Sequence, residues 1–120
     1  MQTNKGENLI VDLTFEFALK IIKYVELLER NHKYVIERQL LKSGTSIGAN
    51  VREAQNAESK TDFIHKLKIA AKEADETEYW LLLCKDSEGY DNCDGLLVAC
   101  TSIIKVLSKI IATSKLKLIS

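Results

Sequence analysis

The sequence has no proline and only five glycines in 120 residues, so little in it would interrupt a helix. Turns must therefore be built from other residues. Leu, Ile, Ala, Lys and Glu dominate the composition, a mixture that favours helix over strand. The length fits one domain, and we expect residues 1–120 to form it.

Cysteine is also scarce, and its arrangement excludes two classes of protein. Cys84, Cys93 and Cys100 are odd in number and include no Cys-x-x-Cys pair, which argues against a disulfide framework and a zinc site. Cys93 and Cys100 lie seven residues apart, so we interpret them as small core residues on one helix face. We expect a reduced, cytoplasmic location in a bacterial-type cell.

An excess of one charge is lacking too, since 17 basic residues balance 17 acidic ones. Non-specific nucleic-acid binding usually shows as a basic excess, so neutrality counts against it. The charge is polarised nevertheless. Between Glu73 and Asp94 a single base, Lys85, accompanies eight acids, and the chain after Asp94 carries four lysines and no acid. Separate acidic and basic regions of this kind are as suitable for contacts between subunits as for binding RNA.

Apolar residues recur at three- and four-residue steps in four stretches separated by short polar breaks. This pattern predicts an all-α protein folded as an antiparallel up-down-up-down four-helix bundle. We expect helices at about 13–29, 35–56, 60–87 and 92–116. The first should begin at an N-cap, Asp12 or Thr14. Its buried stripe is predicted to comprise Phe15, Ala18, Ile21 or Ile22, Val25 and Leu28.

The middle of the second helix, residues 43–50, has poor helix propensity and by itself would indicate a loop. We nevertheless predict a continuous helix, because Leu40, Gly44, Ile47, Val51 and Ala54 keep a heptad-like spacing through it. The small residues there would let a neighbouring helix approach closely.

The third helix begins at a sequence resembling a capping box, with Ser59 as N-cap and Asp62 reaching back. Gly89 can adopt the left-handed conformation that ends a helix, and Asp91 or Asn92 can cap the last one. The predicted core positions of the third helix are Phe63, Leu67, Ala70, Ala74, Thr77, Leu81 and Cys84. Those of the fourth are Leu96 or Leu97, Cys100, Ile103 or Ile104, Leu107, and Ile110 or Ile111.

The last helix is apolar over a wider arc than the roughly 100° stripe that a lone bundle needs. The surplus predicts a second contact surface and hence self-association, with scattered surface apolar residues as the alternative. No apolar run approaches the roughly 20 residues that span a bilayer, so we expect no membrane contact.

Polar residues of the second and third helices form two candidate strips. A hydrogen-bonded network between helices or across a subunit interface is the preferred interpretation, and a binding groove is the alternative. The predicted network comprises Ser43, Ser46, Asn50, Glu53, Asp62, Glu73 and Glu76. No nucleophile is paired with a base, so we predict no catalytic residues and no small-molecule substrate.

Two Asp/Glu-x-x-His pairs have the spacing found in di-iron bundles, Glu29 with His32 and Asp62 with His65. The first pair falls at a loop edge, and the buried stripe of the last helix offers no carboxylate partner. We therefore expect neither a metal nor another cofactor.

A candidate nucleic-acid-binding face lies mainly on the third helix, where Lys68 and Lys72 are four residues apart. Repeated around an oligomer, such a face could hold an RNA or DNA backbone through avidity. A solvated face with Glu73 and Glu76 as local salt partners is the alternative. The full predicted set is Arg52, Lys60, Lys66, Lys68 and Lys72.

The stretch Ser43–Ala54, with Gln39-Leu40 before it, resembles the signature of the 23S rRNA-intervening-sequence, or S23-like, proteins. The later residues Asp62-Phe63, Lys72-Glu73 and Tyr79-Trp80-Leu81 also match. The resemblance implies a small helical bundle that assembles as a homopentamer, with genes associated with large-subunit ribosomal RNA. Related bundles that bind nucleic acid are strongly basic, unlike this chain. Two hypotheses follow: a non-enzymatic homo-oligomeric scaffold or adaptor, and a nucleic-acid-binding accessory protein.

Overall fold

A computed structural model describes residues 5–119, with side-chain environments from residue 9 onward. Within this range the chain is all-α, with four helices and no strands. They are α1 (Lys5–Arg30), α2 (Tyr34–Ala54), α3 (Lys60–Asp86) and α4 (Asp94–Ile119). Each helix packs against the next along the chain, and α4 also packs against α1, so the four enclose one core. The molecule measures 51 × 25 × 21 Å.

The small residues of α2 do hold a neighbouring helix close, as predicted, and the helix is continuous through residues 43–50. A Cβ atom added at Gly44 would lie 2.9 Å from the Cγ1 and Cγ2 atoms of Ile21 in α1. One added at Gly48 would lie 3.3 Å from the backbone carbonyl oxygen of Thr14. The close packing of α1 against α2 therefore overrides the weak helix propensity of the segment.

The first helix differs from its prediction in both start and register. It is helical from Lys5, and Thr14 lies inside it, where its hydroxyl donates to the carbonyl of Ile10 at 2.8 Å instead of capping an end. Phe17 is 2% exposed and belongs to the core, whereas Phe15 is 55% exposed. The prediction for Phe15 was wrong because α1 carries apolar residues on two faces, and spacing alone does not distinguish them.

The core of α3 follows the predicted positions from Leu67 to Cys84, with Ile64 buried in place of the half-buried Phe63. Ser59 is the N-cap, and its hydroxyl accepts from Asp62 N at 3.0 Å. The Asp62 carboxylate reaches back to Glu58 N, not to Ser59 N, at 3.2 Å. The start of the helix is therefore confirmed, in a variant of the predicted capping box.

The loops close with ordinary helix-end hydrogen bonds. Lys33 N donates to Leu28 O at 2.8 Å and His32 N donates to Glu29 O at 3.1 Å, a Schellman motif with His32 in the left-handed conformation (φ 59°). Gly89 also has a positive φ, 82°, but it lies in the loop after the α3 C-cap, Ser87. Asn92 Oδ1 accepts from Asp94 N at 2.8 Å at the start of α4.

The last helix contributes Leu96, Cys100, Ile103 and Leu107 to the core. The remaining apolar residues along its middle, including Ile104, Val106, Ile110 and Ile111, are partly buried against that core. Among the described residues α4 is also long and apolar enough to cross a membrane, by length and composition. No uninterrupted apolar run indicated this in the sequence, because Lys105 and Lys109 interrupt the apolar residues of α4. Length and apolar composition alone do not distinguish a membrane span from a helix that packs in a soluble protein.

Candidate functional site

Residues of the predicted polar network make two links between α2 and α3, and the others make hydrogen bonds within their own helix or its cap. Ser43 is fully buried, and its hydroxyl lies 2.9 Å from that of Thr77 in α3. Thr77 also donates to the carbonyl of Glu73 at 2.7 Å. Near the C-terminal end of α2, Lys66 of α3 forms an ion pair with Glu53 at 3.1 Å. These links tie α2 to α3 at two levels.

The other members of the predicted network bond within their own helix or its cap. Ser46 donates to the Lys42 carbonyl at 2.6 Å, and the Asn50 side chain donates to the Ser46 carbonyl at 2.9 Å. Glu76 accepts from the Trp80 indole at 3.3 Å. Asp62 belongs to the α3 cap. Within the described chain none of these bonds links α2 to α3, and a role across a subunit interface stays a prediction.

The predicted basic residues are exposed, except for Lys66, which is half-buried and paired with Glu53. Lys68 lines a shallow groove with His65 of the same helix and Lys115 of α4. Lys115 was not among the predicted residues, because sequence spacing does not reveal that the end of α4 lies beside the start of α3. Arg52 lies apart from this groove, in one between α1 and α2.

The three thiols lie in the core and are protonated near neutral pH. Burial raises the pKa of Cys84 to about 11 and that of Cys100 to about 12. The Cys100 thiol donates to the Ala74 carbonyl at 3.4 Å, and the Cys93 thiol donates to the Leu81 carbonyl at 3.3 Å. Since a thiolate is the reactive form of cysteine, these thiols act as small hydrogen-bonding core residues.

A buried tyrosine closes the end of the core near the α3–α4 loop. Tyr24 donates its hydroxyl to the Asp91 carbonyl at 2.7 Å. Burial and, secondarily, the neighbouring Cys84 and Cys93 raise the Tyr24 pKa far above its usual value. The bond connects α1 to the loop that precedes α4, so its role is structural.

Two of the residues predicted from the metal-site spacing, His32 and Asp62, have other partners. His32 lies in the α1–α2 loop, and its Nδ1 atom is 2.6 Å from the Tyr34 hydroxyl. In the described part of the chain no three His, Cys, Asp or Glu residues are grouped so that they could hold a metal ion.

The exposed apolar side chains of α1 form the feature that sequence reasoning missed. Phe15, Leu19 and Ile22 are separated by four and three residues, so they share one face of the helix, and all three are exposed. Phe15 also lines a groove of about 340 Å³ between α1 and α2. The signal available in the sequence was a second apolar stripe on α1, offset from that of Phe17 and Ile21.

Comparison with known proteins identifies the family of the chain. The family model described as 23S rRNA-intervening sequence protein matches residues 7–109, which confirms the resemblance seen from Ser43 to Ala54. The chain is also similar to a protein with unknown function from the S23 ribosomal protein family of Bacteroides thetaiotaomicron, whose crystal structure is solved. The two are 44% identical with a TM-score of 0.85, over 89% of this chain and 98% of the other. No curated protein matches the chain. The chain belongs to the 23S rRNA-intervening sequence protein family.

Proposed function

We propose that the protein is a non-enzymatic scaffold or adaptor that assembles from several copies of its helical bundle. Its four helices would alternate in direction, up-down-up-down. The partners across the helix pairs support this, since Gly44 lies near Ile21 and Gly48 near Thr14, while Cys93 bonds to Leu81 and Cys100 to Ala74. In both pairs of helices the residue number rises along one helix while that of its partner falls along the other, as expected for antiparallel packing.

The exposed apolar surface is the observation that carries the proposal. A single bundle leaves large apolar side chains more than a third exposed on all four helices, and on α1 three of them, Phe15, Leu19 and Ile22, share one face. Isolated exposed apolar residues are normal, but neighbouring ones on one helix face are typical of protein interfaces. A scaffold role also fits the protonated thiols, which offer no activated nucleophile. A cytoplasmic location fits three free cysteines.

The copy number is proposed from the family resemblance, which implies five subunits. A pentamer would have five times the mass of the chain, which is 13.5 kDa. Sedimentation equilibrium of the wild-type chain at micromolar concentration tests the proposal. An assembly with five times the mass of one chain supports it, and a monomer throughout that concentration range rejects it.

Nucleic-acid binding is the second candidate function, favoured by one specific arrangement. Lys68 and Lys115 come from different helices and line one groove with His65, and Lys72 follows one turn after Lys68. Such a cluster can hold phosphate groups, with a steep dependence on salt. Replacing Lys68, Lys72 and Lys115 with Ala should weaken any mobility shift of structured RNA at low salt. A wild-type chain that shifts neither RNA nor DNA at low salt would reject this candidate.

A further inference from the structure

The outward faces of α1 and α2 carry two stripes with the same spacing. The α1 stripe is Asp12, Phe15, Leu19, Ile22 and Glu26, and the α2 stripe is Arg38, Leu41, Thr45, Gly48 and Arg52. Both follow steps of 3, 4, 3 and 4 residues, the heptad spacing that lets two helices pack along a seam. Each stripe spans 14 residue steps, or about 21 Å of helix.

Contacts and exposure establish that the stripes lie side by side on the outside of the bundle. Residues from both, Asp12 and Phe15 of α1 and Thr45, Gly48 and Arg52 of α2, line the same groove. All five α1 residues are exposed, as are Arg38, Leu41 and Arg52 of α2. The helices α3 and α4 pack against other faces, so nothing in the described chain covers these stripes.

The end charges of the stripes are opposite in sign. The α1 stripe has an acid at each end, Asp12 and Glu26, and the α2 stripe has an arginine at each end, Arg38 and Arg52. None of these four forms a salt bridge within the described chain. If the α1 stripe of one molecule lay along the α2 stripe of another, acids would meet arginines whichever way the helices ran.

Their side-chain sizes are complementary as well. The α1 stripe presents three large apolar side chains, and between its two arginines the α2 stripe presents one large apolar side chain, Leu41, followed by the small residues Thr45 and Gly48. The Thr45 hydroxyl already donates to the Leu41 carbonyl at 2.7 Å, so covering it leaves no polar group unsatisfied. The large side chains of α1 would therefore meet Leu41 and the small residues Thr45 and Gly48 inside a charged rim, and an apolar centre with a polar rim is the usual anatomy of a protein interface.

We infer that the α1 stripe of one copy of this chain docks on the α2 stripe of a second copy. This inference rests on the proposed self-assembly and names its surface. The pairing joins two different stripes, which is what a head-to-tail contact around a closed ring requires, and the same pairing made reciprocally would give a two-fold dimer. It places the interface on α1 and α2 and not on the broad apolar face of α4, where the sequence had suggested it.

Two aspartate variants test the location of the interface. Leu19 and Val98 are both exposed, on α1 and α4 respectively. Leu19→Asp should weaken assembly about tenfold or more, because a charge replaces an apolar side chain at the centre of the contact. Val98→Asp should leave the mass unchanged, and circular dichroism should show wild-type helicity in both. If wild type assembles and Leu19→Asp retains its mass, the surface assigned here is wrong while the proposed scaffold stands.

Charge reversal tests the pairing itself. Glu26→Lys and Arg38→Glu should each weaken assembly, since each places like charges across the contact. A chain that carries Asp12→Lys, Glu26→Lys, Arg38→Glu and Arg52→Glu together should restore it. Each reversed end of α1 then meets a reversed end of α2, whichever way the helices run and however many copies assemble. Restoration in this fourfold variant supports an α1–α2 contact between copies, and a fourfold variant that stays dissociated with wild-type helicity overturns it. If the wild-type chain is monomeric, both the proposed α1–α2 interface and the proposed scaffold are rejected.

Discussion

The two faces of α1 differ in what covers them. The inward face carries Phe17 and Ile21, which are buried by the rest of the same chain. The outward face carries Phe15, Leu19 and Ile22, which the chain leaves exposed. Both faces are apolar at helical spacing, so one helix holds a folding surface and a proposed assembly surface side by side. Apolar periodicity therefore identifies helix faces that will be covered, but it does not show which molecule covers them.

The largest expected effect comes from the two phenylalanines of α1. Phe17→Ala should lower the free energy of unfolding by about 3–5 kcal/mol, because it leaves a cavity in the core. Phe15→Ala should change that of the dilute monomer by less than about 1 kcal/mol, since its side chain is exposed there. Urea denaturation of both variants measures the difference. Equal losses would contradict the assignment of the two faces.

Two glycines test how tightly the inward face is packed. Gly44→Ala should cost about 1–3 kcal/mol through crowding of Ile21, partly offset by about 1 kcal/mol of improved helix propensity. Gly95→Ala is the control, because a Cβ atom there meets nothing within 4 Å. It should be neutral or slightly stabilising. Thermal unfolding of the two variants ranks their stabilities. A Gly44→Ala chain as stable as Gly95→Ala would contradict the close contact between Gly44 and Ile21.

The serines of α2 extend the comparison to polar side chains. Ser43→Ala should cost about 1 kcal/mol, because it removes the buried link to Thr77. Ser46→Ala should stay within about 0.5 kcal/mol of wild type, since its hydroxyl bonds only to its own helix and is half-exposed. Chemical denaturation of both variants measures the difference. Equal effects would show that the Ser43–Thr77 bond contributes nothing to the α2–α3 contact.

The smallest expected effect belongs to the ion pair of Lys66 and Glu53. Their side chains are 30% and 61% exposed. Solvent therefore screens the attraction, and a double-mutant cycle with Ala at both positions should give a coupling of about 0–1 kcal/mol. A coupling well above that range would mean that the pair is buried by something outside the single chain, such as a neighbouring subunit.

The sequence was sufficient for the four helices and for the core of α3, because α3 has one clearly apolar face from Leu67 to Cys84. It was also sufficient for α2, whose heptad spacing outweighed poor propensity at residues 43–50. It was not sufficient for the core of α1, because Phe15 and Phe17 both belong to apolar stripes at helical spacing and the spacing does not show which stripe is buried. The outward stripes could not be predicted for the same reason, since their exposure depends on which faces of α1 and α2 are covered by α3 and α4.

Light scattering at micromolar concentration, with the wild-type chain and Phe15→Asp measured side by side, tests whether the outward face of α1 joins the copies. The outward face of α1 is predicted to hold the copies together, so the wild type should be a multimer with five times the mass of one chain. The variant should fall to the 13.5 kDa of a single chain with its helicity intact. A multimer of the same mass for both chains would contradict the claim.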